Sequence, residues 1–554
     1  MRSIFKLTLL FTFLFTISAC GNKDGDSTVI QEILSGHFIT GPIEGLRFET
    51  SSQSGKTNSQ GKFSYLGGEQ IRFYVGDILL AEVEAKPEIS LFDLAGVDPL
   101  YQGSLDEFQD ELLKERLTLR DAWPAVVNLA IFLFTLDDDA NPDNGILLED
   151  KVHTASGDLP VHFYMASKFF NQGTFNVVLS KAEILGLGGG ERPMFKPHAA
   201  LARLYQISNL ELRLRTLTSI EIDLENDGIT NRVAYLHYDE NGKMTSRESD
   251  SNNDEMVDYK EEYYYDNKGR KTKIEIDQNN DELVDQIFTR SFDAFDNRIS
   301  ERNDVDTRTV SNSTQHRFYD EHNRLMQLEN DFDGDSLNEQ VIKYYYNSFG
   351  VLASEELYLD NGETLNARRH YAYDHTTDIL TFWIDQDADE IVDFYSLSAY
   401  NQNGNLLRYA EGPNQNASVL YYEYQYDDIG RVVRYLQDNY ANGTIDKIVN
   451  HAYLDTATQS RYGIDSNNDL IADYEETKNY NESYQLTSWE IDNNADGIVD
   501  SFRQYSYTED ALSMTIKNDI DGNLVFDNST RYHYETLPVS WWNLFHPWNP
   551  LAES

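Results

Sequence analysis

Residues 250–276 read DSNNDEMVDYKEEYYYDNKGRKTKIEI, and the chain keeps returning to this stretch. Registers of the same kind open at Asp223, Asp250, Asp277, Asp331, Asp385, Asp465, Asp492 and Asp519, almost always in steps of 27 residues. A second marker keeps time with the first: Tyr238, Tyr265, Phe292, Tyr319, Tyr346, Tyr373, Tyr400, Tyr426, Tyr453, Tyr480, Tyr507 and Tyr534. An aromatic residue at twelve successive registers identifies a tandem-repeat array.

Within one unit, two β-rich runs, Tyr259–Tyr265 and Lys271–Ile276, flank the Asx- and Gly-bearing turn Asp266-Asn267-Lys268-Gly269-Arg270. Such an arrangement predicts a hairpin. The marker aromatic is expected to pack between neighbouring hairpins. Each repeat is therefore strand, turn, strand and acidic loop, and twelve of them make about 24 antiparallel strands in a mainly β protein. Laid flat, that sheet is about 110 Å wide, and sheets so wide curl or split. A large curled antiparallel sheet is the first expectation. A six-bladed β-propeller is the alternative, because the poorest loops, around Asp304, Asp360 and Gly412, recur at every second repeat.

The acidic loops carry oxygen-bearing side chains at positions 1, 3, 5 and 9. The candidate ligands are Asp223, Glu225, Asp227 and Asn231; Asp250, Asn252, Asp254 and Asp258; Asp277, Asn279, Asp281 and Asp285; Asp331, Asp333, Asp335 and Glu339. The set continues with Asp385, Asp387, Asp389 and Asp393; Asp438, Asn442 and Asp446; Asp465, Asn467, Asp469 and Asp473; Asp492, Asn494, Asp496 and Asp500; and Asp519, Asp521, Asn523 and Asp527. Position 7 is apolar: Ile229, Met256, Leu283, Leu337, Ile391, Ile471, Ile498 and Val525. This pattern predicts that alternating carboxylates aim at one point while position 7 offers its carbonyl and turns its side chain into the core. Hard, flexible oxygen ligands in this number suit Ca²⁺, with about eight ions along the array. Without a cation the gathered carboxylates repel one another.

The loops resemble the DxDxDG calcium loops of EF-hands, dockerins and thrombospondin type 3 repeats. They are closest to the nine-residue DxDxDGxxD loops of FG-GAP propellers, as in Asp492 to Asp500. Glycine at position 6 occurs only at Gly228, Gly443 and Gly497, a departure that bears on affinity. Tyr265-Asp266-x-x-Gly269-Arg270, with Tyr238-Asp239 and Tyr426-Asp427, resembles the Tyr-Asp signature of RHS/YD repeats.

The N-terminus reads as a secretion signal over residues 1–19, with Arg2 and Lys6 before the apolar run Leu7–Ile17. Ile17-Ser18-Ala19-Cys20 resembles a bacterial lipobox, which implies lipidation of Cys20, the sole cysteine, and a tether to residue 34. Gly21 rather than Asp follows, so retention at an inner membrane is not signalled. Residues 35–103 alternate like strands. Gly41-Pro42-Ile43-Glu44-Gly45-Leu46 and Gly61-Lys62-Phe63-Ser64-Tyr65 resemble the Ig-like or transthyretin-like β-sandwich modules of surface lipoproteins. Residues 104–212 turn helical, with periodic runs at 106–116, 125–136 and 197–205. The segment Asp137 to Gly145 is either an isolated cation loop or an Asx-rich turn. The repeats fill 213–538. Residues 539–554, with Trp541, Trp542 and Trp548, are expected to cap the array's open end, with an exposed aromatic patch as the second reading.

The formal charge of -49 excludes electrostatic binding of nucleic acid. The motifs of metalloproteases, serine hydrolases, P-loop enzymes and cysteine nucleophiles are absent from the sequence, so no enzyme is expected. The expected function is a lipid-anchored, calcium-binding scaffold or adhesion protein of a bacterial outer membrane, facing the periplasm or the cell surface. A glycan- or protein-binding module that uses the repeat surface is the alternative, motivated by Tyr263–Tyr265 and Tyr344–Tyr346. An RHS-type shell or a hydrolase ranks behind both.

Overall fold

The structure, a computed structural model, describes residues 32–546 apart from 114–122, 140, 158, 165–169, 171–173, 188–193, 306–311, 375–376, 378, 402–404, 415–417 and 457. The signal segment, Cys20 and Trp548 lie outside the described residues.

The expected strands near the N-terminus form two small sheets. One pairs Lys62–Tyr65, Leu34–Phe38 and Glu88–Ile89; the other orders Ser54–Lys56, Arg47–Glu49, Gln70–Val75 and Ile78–Glu84. Alternation places Phe38, Phe48, Phe63 and Phe73 between them, with Phe38 and Phe73 edge to face at 4.9 Å. Seven helices are described: α1 Leu91–Ala95, α2 Leu105–Leu113, α3 Trp123–Leu136, α4 Asp150–Ser156, α5 Thr174–Ile184, α6 Pro197–Ile207 and α7 Trp541–Phe545. Every residue of α3 is buried, which matches a sequence apolar on all sides. A two-residue parallel pairing, Ile43–Glu44 with Ile146–Leu147, ties the sheets to the helices. The two expected modules share one hydrophobic core that also takes in Leu214, Val539 and Leu544.

The repeats form neither an open curled sheet nor a propeller. They make a closed barrel of 24 antiparallel strands, each paired with its neighbours in sequence. The first strand, Arg213–Asp223, pairs with the last, Asn528–Pro538, through ten residue pairs from Arg213↔Pro538 to Asp223↔Ser529. Closure removes both edges, which would otherwise expose unpaired N–H and C=O groups. The alternation of poor loops therefore marks no blade boundary. A ring of 24 strands spaced about 4.8 Å apart is on the order of 40 Å across.

The barrel wall is one sheet thick. Its buried apolar side chains within the described residues are few, among them Val233, Ile274, Ile276, Phe288, Val341 and Val449. Both faces carry charge: Lys260, Glu262, Lys273 and Glu275 lie on one, and Arg247, Glu261, Arg290 and Glu301 on the other. Most strands are seven residues long. A wall facing hydrocarbon needs a continuous apolar band and strands of about 9–11 residues. This wall has neither. The face holding Tyr263, Ile274 and Phe288 is the more crowded and is assigned as the concave, lumenal one; Tyr264, one residue along, is 39% exposed on the other.

The helical body sits on the rim of Tyr-Asp turns. Lys196 Nζ donates to Asn297 Oδ1 at 2.9 Å and Ser180 Oγ to the Phe349 carbonyl at 3.1 Å. The closed barrel leaves no open end for the C-terminal segment to cap, and its helix α7 packs instead against the helical body and the Tyr-Asp rim. Trp541 packs on Tyr205 at 4.8 Å, while Trp542 lies 5.4 Å from Phe292 and 4.4 Å from His198. Gly242 has no room for a side chain, since a Cβ would stand 1.9 Å from the Pro538 carbonyl oxygen.

Candidate functional site

The opposite rim carries the acidic loops. In nine of them the position-1 carboxylate, nearly buried at the end of a strand, is the hub: Asp223, Asp250, Asp277, Asp331, Asp385, Asp438, Asp465, Asp492 and Asp519. In each, Oδ2 accepts the backbone N–H of position 6 at 2.7–3.0 Å. The position-5 side chain accepts the N–H of position 7 at 2.7–3.0 Å. The position-9 side chain reaches back to the N–H of position 2 at 2.6–2.8 Å. Three reciprocal bonds thus close every loop before any ion is considered. A carboxylate oxygen that accepts one N–H keeps a second lone pair, so the same atoms remain competent to ligate.

Two residues per loop are left-handed. Position 4 spans φ 46 to 77° and position 6 spans 68 to 89°. Glycine fills position 6 only at Gly228, Gly443 and Gly497; Glu255, Glu282, Ser336, Glu390, Leu470 and Leu524 hold the same conformation with a Cβ. The pattern's glycine is therefore replaced in residue type but not in geometry. Neighbouring loops are also linked: Asn253 Nδ2 donates to the Thr230 carbonyl and Asn280 Nδ2 to the Val257 carbonyl, both at 2.9 Å.

Carboxylate oxygens converge to within 4.8 Å of one another in three loops: Asp331, Asp333, Asp335 and Glu339; Asp385, Asp387 and Asp393; and Asp519, Asp521 and Asp527. The position-3 side chain accepts the N–H of position 5 whether it is Asn or Asp, as at Asn252, Asn494, Asp333 and Asp521. Burial pushes the carboxyls of Asp438 and Asp465 up, but the backbone N–H donors of their loops outweigh it and hold both below the usual range. Hydrogen bonds from Ser251 and Ser466 lower Asp258 and Asp473 in the same sense. At these four residues the loop's own donors favour the ionised carboxylate.

One expectation fails here. The position-7 side chains do not enter a core: Ile229, Met256, Leu283, Leu337, Ile391, Ile471, Ile498 and Val525 are 53–68% exposed. The loop projects beyond the end of a sheet one layer thick, so there is no interior for them to enter. The isolated segment at Asp137 is also accounted for locally. Asp137 accepts the N–H groups of Leu147 at 2.8 Å and Asn141 at 2.9 Å, and burial pushes its carboxyl up to about 6. Asp138 pairs with Lys151 and Asp143 with Arg203. That is the geometry of an Asx-rich turn.

On the Tyr-Asp rim, each repeat is tied to its neighbour through the marker aromatic. The marker phenol donates to a main-chain carbonyl about one hairpin back: Tyr265 to Met244 at 2.7 Å, Tyr346 to Leu325 at 2.8 Å and Tyr426 to Leu406 at 2.6 Å. The turn's cation stacks on the next repeat's aromatic, as with Arg270 on Phe292 at 4.8 Å and Arg324 on Tyr346 at 4.9 Å. Of the tyrosine triplets, only Tyr264 and Tyr345 face outward, and they donate to Glu275 at 2.6 Å and Glu356 at 2.8 Å. The lumenal wall carries a larger aromatic row, running through Tyr409, Tyr422, Tyr435, His451 and Tyr462 with centroids 5.8–6.3 Å apart.

No family model and no curated protein matches the chain. Among solved structures it is similar to the Tc holotoxin pore of Photorhabdus luminescens, at 13% identity and a TM-score of 0.23, over 50% of this chain and 16% of that one. A TcdB2-TccC3-Cdc42 structure is similar at 11% identity and a TM-score of 0.24, over 59% of this chain and 22% of that one. A porin-like protein from Bacteroides uniformis is similar at 11% identity and a TM-score of 0.19, over 40% of this chain and 95% of that one. The chain thus spans about a fifth of the toxin chains it matches. At these scores the functional argument rests on the chain's own geometry.

Proposed function

We propose that this protein is a non-enzymatic, calcium-stiffened scaffold of a bacterial cell envelope, held to the outer membrane by lipid on Cys20. The observation that carries the reading is the ring of nine loops closed by the same three hydrogen bonds, with carboxylate oxygens gathered at one rim. Calcium at these loops would offset carboxylate repulsion and lock a wall that has little core of its own. Charge on both faces of that wall fits a barrel held beside a bilayer by an anchor. The test is chelation: EDTA should lower the melting temperature and open the array to protease, and calcium should restore both. Unchanged melting and proteolysis would sink the reading. For the anchor, Cys20→Ala should move the protein from the membrane fraction to the soluble one.

A second reading, ligand binding by the repeat surface, draws on the aromatic row of the lumenal wall from Tyr409 to Tyr462. Tyrosine faces stack on the apolar faces of sugars and on other rings. A glycan array run with calcium present tests it, and no hit there would remove it.

A further inference from the structure

The lumenal wall beneath the helical body carries a local charge opposite to that of the whole chain. Arg290, Arg298 and Arg317 stand on three successive strands, Gln286–Phe292, Arg298–Val305 and Asn312–Tyr319, around one acid, Glu301. Arg290 Nε bonds Glu301, and Arg298 Nη1 donates to the same carboxylate at 2.6 Å. Arg317 is different. Its Nη1 is buried with no hydrogen-bond partner. The groups acting on this guanidinium are Arg298, Glu301, Arg290 and the marker Tyr319, so it faces the cluster; burial, then Arg298, hold it down to about 10. Three guanidiniums thus gather around Glu301 in a chain of formal charge -49.

A half-buried guanidinium whose Nη1 lies out of solvent without a partner, beside two others, is unfavourable unless something satisfies it. Its planar fork matches the paired oxygens of a carboxylate, sulfate or phosphate. We infer that Arg317, with Arg298 and Arg290, forms an oxyanion-binding site on the lumenal wall, open to a free inorganic oxyanion or to the carboxylate of an acidic polymer. The site is independent of the calcium loops, which lie on the opposite rim.

The test uses the full-length protein at fixed calcium, melted against sodium sulfate and against sodium chloride of matched ionic strength. Low millimolar sulfate is used, where its general stabilisation of folded proteins is small. The wild type should show a saturable rise with sulfate beyond chloride. Arg317→Met should melt no lower than wild type without sulfate, because it removes a desolvated and repelled charge, and should lose at least about tenfold in apparent sulfate affinity. Arg317→Lys keeps the charge without the fork and should fall in between. Arg302→Met, which removes the partner of Asp304 on the other face, should respond like wild type. An oligogalacturonide titration separates the sources. A response lost in Arg317→Met assigns the site to an acidic polymer, and a sulfate response alone assigns it to a free oxyanion. Equal sulfate and chloride curves, or a sulfate response retained in Arg317→Met, would overturn the proposal.

Discussion

The phenol of Tyr453 donates to the main-chain carbonyl of Val432, one hairpin back, at 3.0 Å. The Arg431 guanidinium lies over the same ring, 4.2 Å from its centroid. One residue thus ties its own repeat to the preceding one twice, which explains why the aromatic beat is the most regular feature of the sequence. Tyr453→Phe keeps the stacking and loses the bond, and should cost about 1 kcal/mol. Tyr453→Ala loses both and should cost about 3–5 kcal/mol. Denaturant unfolding of the two variants measures the difference.

Position 6 of each loop is left-handed whatever residue occupies it. Leu470 holds φ 72° while 88% exposed, so its side chain contributes little to set against the strain. Leu470→Gly should therefore stabilise the protein by about 1 kcal/mol, and Gly497→Ala should destabilise it by a similar amount. If both changes move the melting temperature the same way, the conformational argument fails.

The exposed position-7 residues give a contrasting expectation. Met256→Lys and Ile391→Lys should each change stability by less than about 0.5 kcal/mol, as surface substitutions do. A loss of several kcal/mol would mean that these side chains enter a core after all.

His198 tests the junction between helical body and barrel. It is buried against Trp542, and burial, reinforced by His546, pushes its imidazole down to about 3. The unfolded chain protonates this group below about pH 6.5 while the fold keeps it neutral. Its contribution is therefore complete above pH 6.5 and is lost as pH falls from there toward 3, by up to about 1.4 kcal/mol per pH unit. Melting curves from pH 7 to 4 should fall more steeply for wild type than for His198→Phe. Parallel curves would show that the junction does not sense pH through this residue.

The parts of the structure legible in the sequence are those that repeat locally. Alternation over Tyr259–Tyr265 and Lys271–Ile276 specifies the two strands of a hairpin, and the acidic loops fall where their spacing places them. Closure was not legible. It depends on the pairing of Arg213–Asp223 with Asn528–Pro538, elements some 300 residues apart whose sequences resemble every other strand of the array. The position-7 residues misled because an apolar side chain after a loop usually marks a core, and nothing in the pattern says that the wall is a single layer. Arg317 is likewise invisible in the sequence, since an arginine in a strand carries no signal until its neighbours are known. The left-handed backbone at position 6 was visible only where glycine marked it.

Cation binding is the central claim, and the decisive measurement is calcium stoichiometry. At tenfold excess over its dissociation constant each ion adds about 1.4 kcal/mol, so a filled ring would add on the order of 11 kcal/mol. The loops at Asp331, Asp385 and Asp519, where carboxylates already converge, should fill first. Equilibrium dialysis against calcium, followed by metal analysis of the protein fraction, should give about eight ions per chain, falling by one in Asp331→Asn. A value of zero or one at millimolar calcium would contradict the account and leave the rim a ring of plain turns.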